Sequence, residues 1–234
     1  FIINSKKRNI KTFSFIDMWS NYFFRFFKNN RLILPDCILA IDSKAKKEMI
    51  IDKIPQNIIK IVGHPYFEEL SNKNILMGNN NVFYSQPLNL NPNPKIVYPK
   101  NFFLNYYLQI FKKLNTKFTY MSLHPDELSS SIYNKKKYNI YKSKDFEDLK
   151  NTKNAFGVYS TQLISAYILK RNVYVFGYPN QKYDPFPLSR WGYINKINNI
   201  YDFEKIYNNE FKFSTSFLNS FIDSKKNILN ILFN

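Results

Sequence analysis

The sequence predicts an α/β protein built on parallel sheets. Apolar runs of strand length alternate with stretches of helical apolar spacing. The connections between them are short, which favours right-handed crossovers, and several runs end in polar loops. A chain of 234 residues holds one large domain or two small ones, and its 44% hydrophobic and 18% aromatic content excludes disorder. No internal repeat of fixed period is present.

Taken in order, "KTFSFID" is a strand ending in a polar loop, and "MWSNYFFRFFKNN" is aromatic and basic, with a buried helix the simpler account of the aromatics in "NYFFRFFKNNR". "CILAID" is a buried strand and "SKAKKEMIID" a short helix with Ser43 as its expected N-cap. "NIIKIVG" is another strand, followed by "HPYFEELSN" and then by the polar "NKNILMGNNN", a linker. A second unit begins at "NVFYSQP", strand then loop. "NFFLNYYLQIFKKL" has helical spacing, "KFTYMSL" is a strand running into His124, and "YNIYKS" is a short strand. The helix "KDFEDLKNT", acidic near its start, precedes the strand "NAFGV". "YSTQLISAYILKR" is a helix opened by Ser160 or Thr161, and "NVYVFGYP" is the next strand. Two helical stretches follow, around "YDFEKIYNN" and "STSFLNSFIDSKKNILNIL".

The net charge of +17 favours anionic partners such as nucleotides, acidic glycans, lipid headgroups or nucleic acid. Much of it accompanies a Lys- and Asn-rich composition typical of an AT-rich genome, so a solvated basic surface is the plainer account. The Lys residues are scattered and form no single stripe, and no specific nucleic-acid partner is expected. The single cysteine, Cys37, excludes an internal disulfide and lies in the apolar run "LPDCILAI", as a core thiol would. No apolar run approaches the roughly 20 residues that span a bilayer, and no signal peptide is visible. The expected compartment is the cytoplasm, with peripheral contact to an anionic membrane compatible with it. The sequence starts at Phe1 in mid-pattern, so an upstream portion is expected to be absent.

Ligands of open parallel sheets bind at the carboxyl ends of the strands. Three polar loops of the second unit fall there: Ser85-Gln86-Pro87, His124-Pro125 and Tyr159-Ser160-Thr161. Gly157 permits a close approach, and Ser160 and Thr161 then open a helix. Its unpaired N–H groups and partial positive charge make a seat for phosphate, or the two hydroxyls are an ordinary N-cap. Both histidines, His64 and His124, precede proline, which pushes them toward extended backbone. His64, just before the linker, is expected to have a packing or hinge role.

The order "IDSKAKKEMIIDKIPQNIIKIVGHPYFEEL", "VFYSQPL", "LHPDE", "GVYSTQLISAYILKRNVYVFGYP" resembles the later part of a bacterial glycosyltransferase of the GT-B fold. In that fold two Rossmann-like domains face each other across a cleft. The nearest group is the bacterial sialyltransferases and polysialyltransferases, including capsule-type enzymes. Their His-Pro and Ser-Ser/Thr motifs contact the CMP part of a CMP-sugar donor, and the matching residues here are His124 with Pro125 and Ser160 with Thr161. The resemblance implies that residues 1–79 are the remainder of an N-terminal, acceptor-side domain with its linker. Residues 80–234 are then a donor-binding domain carrying the C-terminal helices.

The implied reaction is inverting transfer of a sialic-acid-like sugar from a CMP donor to a surface glycan, with a glycan or lipid-linked acceptor. A carboxylate deprotonates the acceptor hydroxyl, while His124, Ser160 and Thr161 stabilise the departing phosphate. Ser85 and Gln86 line the same pocket. No Asp-x-Asp metal motif is evident, and no metal or cofactor is expected beyond the donor itself. The group's acidic Asp/Glu-Asp/Glu-Gly motif, which supplies its base, is missing; the upstream acidic candidates in strand-end loops are Asp17, in "FIDMWSNY", and Asp36, unless the base lies in an absent upstream portion. Rival readings are a CDP-glycerol or UDP-sugar enzyme on the same scaffold, and a nonenzymatic anion-binding protein.

Overall fold

A computed structural model describes residues 1–87, 109, 112, 120–124, 127, 140–142, 146–177 and 183–233. They form two compact units, Phe1–Asn72 with Thr215–Asn234, and Lys73–Ser214. Most of the expected helix over residues 101–114, and Pro125, lie outside the described residues.

In the first unit, strand β1 (Phe13–Phe15) is followed by a small antiparallel hairpin, β2 (Phe27–Lys28) and β3 (Arg31–Leu32), then by β4 (Cys37–Ala40) and β5 (Ile59–Ile61). The last two join β1 in a parallel sheet of order β1-β4-β5, with Phe13 opposite Cys37 and Ile38 opposite Ile59. All of β4 is buried, as its unbroken apolar run demands for a strand covered on both faces. The Cys37 thiol lies in this core, and burial pushes its pKa up.

The Ser43–Ile51 helix is capped one residue earlier than expected. Asp42 is its N-cap, and the Asp42 carboxylate accepts from Ala45 N–H at 2.7 Å. An Asp carboxyl is as good a cap as a Ser hydroxyl, so Ser43 falls into the first turn. The C-terminal segment also differs from the expected division. Phe217 and Phe221 pack on Trp19, at ring separations of 5.7 and 6.2 Å, and Ile228 and Ile231 cover Cys37, Leu39 and Val62. These apolar faces close the core of the first unit.

The second unit holds β6 (Asn80–Tyr84), β7 (Tyr120–Leu123), β8 (Ile140–Lys142), β9 (Thr152–Gly157), β10 (Asn172–Phe176) and β11 (Lys196–Ile197). They form one parallel sheet of order β11-β10-β9-β6-β7-β8. The chain winds outward from β6 through β7 to β8, then returns to the other side of β6 and winds outward again. Counted from β6 this is the doubly wound order 3-2-1-4-5-6, whose winding direction reverses between β6 and β9.

Two polar devices hold this sheet in place. At the start of three neighbouring strands Asn172 donates to Asn154, and Asn154 to Asn81, each at 2.8 Å. Beside them the buried Arg171 guanidinium donates to the carbonyls of Leu149, Ile75 and Leu76, the last at 2.7 Å. These carbonyls replace the water that burial removes and fix the segment leading into β6.

Candidate functional site

Each strand of a parallel sheet points its carboxyl end to the same side, so the loops after β6, β7 and β9 emerge together. β6 lies between the other two: Tyr84 pairs with Ser122 of β7, and Phe83 with Phe156 of β9. His124 and Ser160 therefore follow strands that flank β6, and Ser85-Gln86 lies between them.

Ser85 connects β6 to β7. Its N–H donates to Ser122 O at 3.0 Å, and its hydroxyl donates to the Glu127 carboxylate. The same hydroxyl oxygen accepts from His124 N–H at 3.2 Å, while Glu127 N–H donates to His124 O at 2.9 Å. Both peptide groups of His124 are thus held, one by Ser85 and one by Glu127. Glu127 is only 8% exposed, a depth at which a carboxylate requires partners. The Ser85 hydrogen points into this latch, which makes Ser85 a positioning group and not a direct donor to a ligand. Glu127 escaped the sequence reading because an acid three residues after His124 looks like any solvated helix-start residue.

Gln86 follows, half-buried, and its side-chain oxygen is buried without a hydrogen-bond partner among the described residues. An orphaned buried acceptor costs on the order of 1–3 kcal/mol, which a ligand N–H would relieve.

On the other side of β6, Gly157 ends β9 against it. A Cβ at this position would stand 3.0 Å from Tyr84 O and 3.0 Å from a Leu163 methyl, so a larger residue would push β6 or the following helix back by a few tenths of an ångström. Ser160 is the N-cap of the Thr161–Ile168 helix: its Oγ accepts from Gln162 N–H at 3.3 Å. Accepting uses a lone pair and leaves the Ser160 hydrogen for donation. Thr161 is exposed in the first turn. The phosphate-seat features expected from sequence thus sit beside the β6–β9 reversal.

Asp17 belongs to the first unit, in the loop after β1. Its carboxylate is 64% exposed and ion-paired with Arg25 at 2.8 Å. The strand ends of that unit carry their own cluster. Trp19 Nε1–H donates to Asp42 at 2.6 Å, and Asp42 also caps its helix; burial raises its pKa against these two bonds. His64 has extended backbone, with φ −137° and ψ 108°, as a residue before proline should. Its Nδ1 accepts from Phe67 N–H, and its ring stacks on Phe67 at 3.9 Å. Burial pushes its pKa down to about 4, opposed by hydrogen bonding with the Asp17 backbone. His64 is thus a neutral helix cap.

Comparison with known proteins bears on the fold. No family model matches the chain, and no curated protein matches it in sequence. Among solved structures it is similar to the UDP-GlcNAc 2-epimerase of Methanocaldococcus jannaschii in complex with UDP-GlcNAc and UDP. That likeness has a TM-score of 0.66 at 16% identity, over 99% of this chain and 71% of that one. The Neisseria meningitidis UDP-GlcNAc 2-epimerase bound to UDP-GlcNAc gives a TM-score of 0.61 at 14% identity, over 100% and 72%. The fold is GT-B-like. A looser similarity, TM-score 0.43 at 14% identity over 84% and 53%, links the chain to the wall teichoic acid polymerase TagF. The likeness at these identities is one of fold, an α/β GT-B scaffold of Rossmann-like parallel sheets, and does not reach the sialyltransferase group. Among the described residues no helix is long and apolar enough to cross a membrane.

Proposed function

We propose that this GT-B-like protein is a nucleotide-sugar enzyme that transfers a sialic-acid-like sugar from a CMP donor to a glycan or lipid-linked acceptor. One observation carries the reading: the winding reversal between β6 and β9 coincides with a serine-capped helix start, and the Ser85–Glu127–His124 latch stands on the other side of β6. In this reading the phosphate sits on the first N–H groups of the Thr161–Ile168 helix, with the Ser160 and Thr161 hydroxyls donating to it. His124, its backbone held by Ser85 and Glu127, adds a further contact to the departing CMP. Gln86 offers its orphaned oxygen to an N–H of the nucleotide. Asp17 is the carboxylate available to deprotonate the acceptor, a role that requires its pair with Arg25 to open.

A second reading has the same phosphate seat serve a UDP-sugar, as in an epimerase, and is favoured by the likeness to the two UDP-GlcNAc 2-epimerases. Calorimetric titration of the whole chain with CMP, UDP and cytidine tests both. The first reading expects CMP to bind more tightly than UDP and than cytidine. UDP binding more tightly than CMP selects the second, and no binding of either nucleotide overturns both.

A further inference from the structure

We propose that the β2–β3 hairpin of the first unit, with the short helix Tyr22–Phe26 before it, is a docking surface for an anionic lipid membrane. The stretch from Met18 to Pro35 contains Arg25, Lys28 and Arg31 and not one acidic residue. Of the acids that flank it, Asp17 pairs with Arg25, which leaves Lys28 and Arg31 as its uncompensated cations, and Asp36 is engaged by the Thr12 backbone and hydroxyl. Residues 27–32 are all exposed.

Its geometry sorts two kinds of side chain. Asn29 and Asn30 both have positive φ, 50° and 58°, the tight turn that asparagine tolerates and that matches strand twist. The turn sets Lys28 directly opposite Arg31 and Phe27 directly opposite Leu32. Directly opposed residues share a face, so one face is cationic and the other apolar. Like charges in opposed positions repel each other, and among the described residues neither cation has an ion-pair or hydrogen-bond partner. On the apolar side Phe27 is 40% exposed and Leu32 36%; Phe27 stacks on Phe23 at 4.8 Å, and Phe24 of the preceding helix, 39% exposed, meets Phe23 edge-on at 5.8 Å. An unneutralised cation pair beside exposed aromatics is the chemistry of an interfacial anchor. The rings enter the boundary of headgroups and acyl chains, while the long cationic side chains reach back to the phosphates. A soluble polyanion would match the two cations but would leave the apolar face unused.

The test is vesicle co-sedimentation of the full chain, with phosphatidylcholine alone, with phosphatidylcholine plus phosphatidylglycerol, and with soluble heparin as competitor. Binding to the anionic vesicles and not to the neutral ones is expected. Lys28→Gln with Arg31→Gln should weaken it about 25-fold, at about fivefold for each cation near an anionic surface. Phe24→Ser with Phe27→Ser and Leu32→Ser should weaken it about tenfold or more. Unchanged thermal melting shows that each variant is folded, and Phe27→Ser alone replaces the triple variant if that one unfolds. Absence of binding to anionic vesicles overturns the proposal, as does wild-type affinity in both the cation and the apolar variants. Loss in the cation variant alone, with heparin displacing the vesicles, assigns the hairpin to an acidic polymer and also overturns it.

Discussion

At the strand ends of the first unit several polar side chains are committed to neighbouring protein groups, although in the segment after β1 the buried Asn21 Oδ1 has no hydrogen-bond partner among the described residues. Trp19 donates to Asp42, Asp42 caps a helix, and His64 caps another with its ring stacked on Phe67. At the strand ends of the second unit the commitment is partial. Ser85 and Glu127 hold each other and the His124 backbone, while among the described residues the Gln86 oxygen is unpartnered and the Ser160 hydroxyl accepts from Gln162 N–H. Both units use a parallel sheet and each follows a strand with a His-Pro pair. What separates the two His-Pro strand ends is therefore how their side chains are used: the His64 ring is spent on capping and stacking, whereas the second unit holds His124 by its backbone.

The sharpest test of this contrast is pH. His64 is neutral in the folded protein, with its pKa lowered from 6.5 to about 4 by burial. Above about pH 6.5 neither state is protonated there and its contribution to stability is full. Between pH 6.5 and about 4 the unfolded chain takes up a proton that the native state refuses, so stability falls as pH falls, by roughly 3 kcal/mol in all. His64→Asn keeps a capping side chain without a titrating ring. Denaturant midpoints across this range should show the wild type losing more than the variant, and parallel curves would remove His64 from the first-unit cluster.

Next in size is Glu127. Glu127→Ala strands the buried Ser85 hydroxyl, at a cost of about 1–3 kcal/mol. Glu127→Gln retains an acceptor and should recover most of that loss. Urea unfolding gives the stability, and CMP titration of the folded variants reads whether His124 has moved. Equal stability of Ala and Gln variants would mean that the latch does not hold the second site together.

A smaller effect is expected from Ser160→Ala with Thr161→Ala, which removes the helix cap at about 0.5–2 kcal/mol. If the helix start holds phosphate, CMP affinity falls in this variant while cytidine affinity does not. A common loss factor for both ligands would reduce the pair to a cap, making this end resemble that of the first unit.

The smallest change in stability belongs to Asp17→Asn. An exposed pair such as Asp17–Arg25 contributes about 0–1 kcal/mol, so thermal melting should barely move. If Asp17 is the base, turnover with a CMP-sugar donor is abolished in the same variant. Undiminished turnover would pass that role to another carboxylate.

Much of the fold was legible because strands buried on both faces must be written as apolar runs. "CILA", "YMSL" and "NVYVF" all coincide with strands. Local chemistry also gave the Ser160 cap and the pre-proline backbone of His64. The rest is non-local. No short-range signal says that β6 separates β7 from β9, since strand order is decided by which apolar faces meet after the chain has turned back. The docking of Phe217 and Phe221 onto Trp19 is equally remote in sequence. At the site, the three loops were legible as polar interruptions after strands. The Ser85–Glu127 bond was not, because burial of an acid depends on what surrounds it.

The asparagine row across β6, β9 and β10 gives the compositional bias another meaning. Parallel strands are otherwise interchangeable along their length, and slipping one by a residue would turn each side chain to the opposite face. Asn81, Asn154 and Asn172 meet as a continuous amide chain in one alignment only, so they act as a vernier for the sheet. A nucleotide composition that supplies asparagine freely thus also supplies a means of distinguishing correct strand alignment from its near neighbours. Asn154, bonded on both sides, should be the least replaceable of the three.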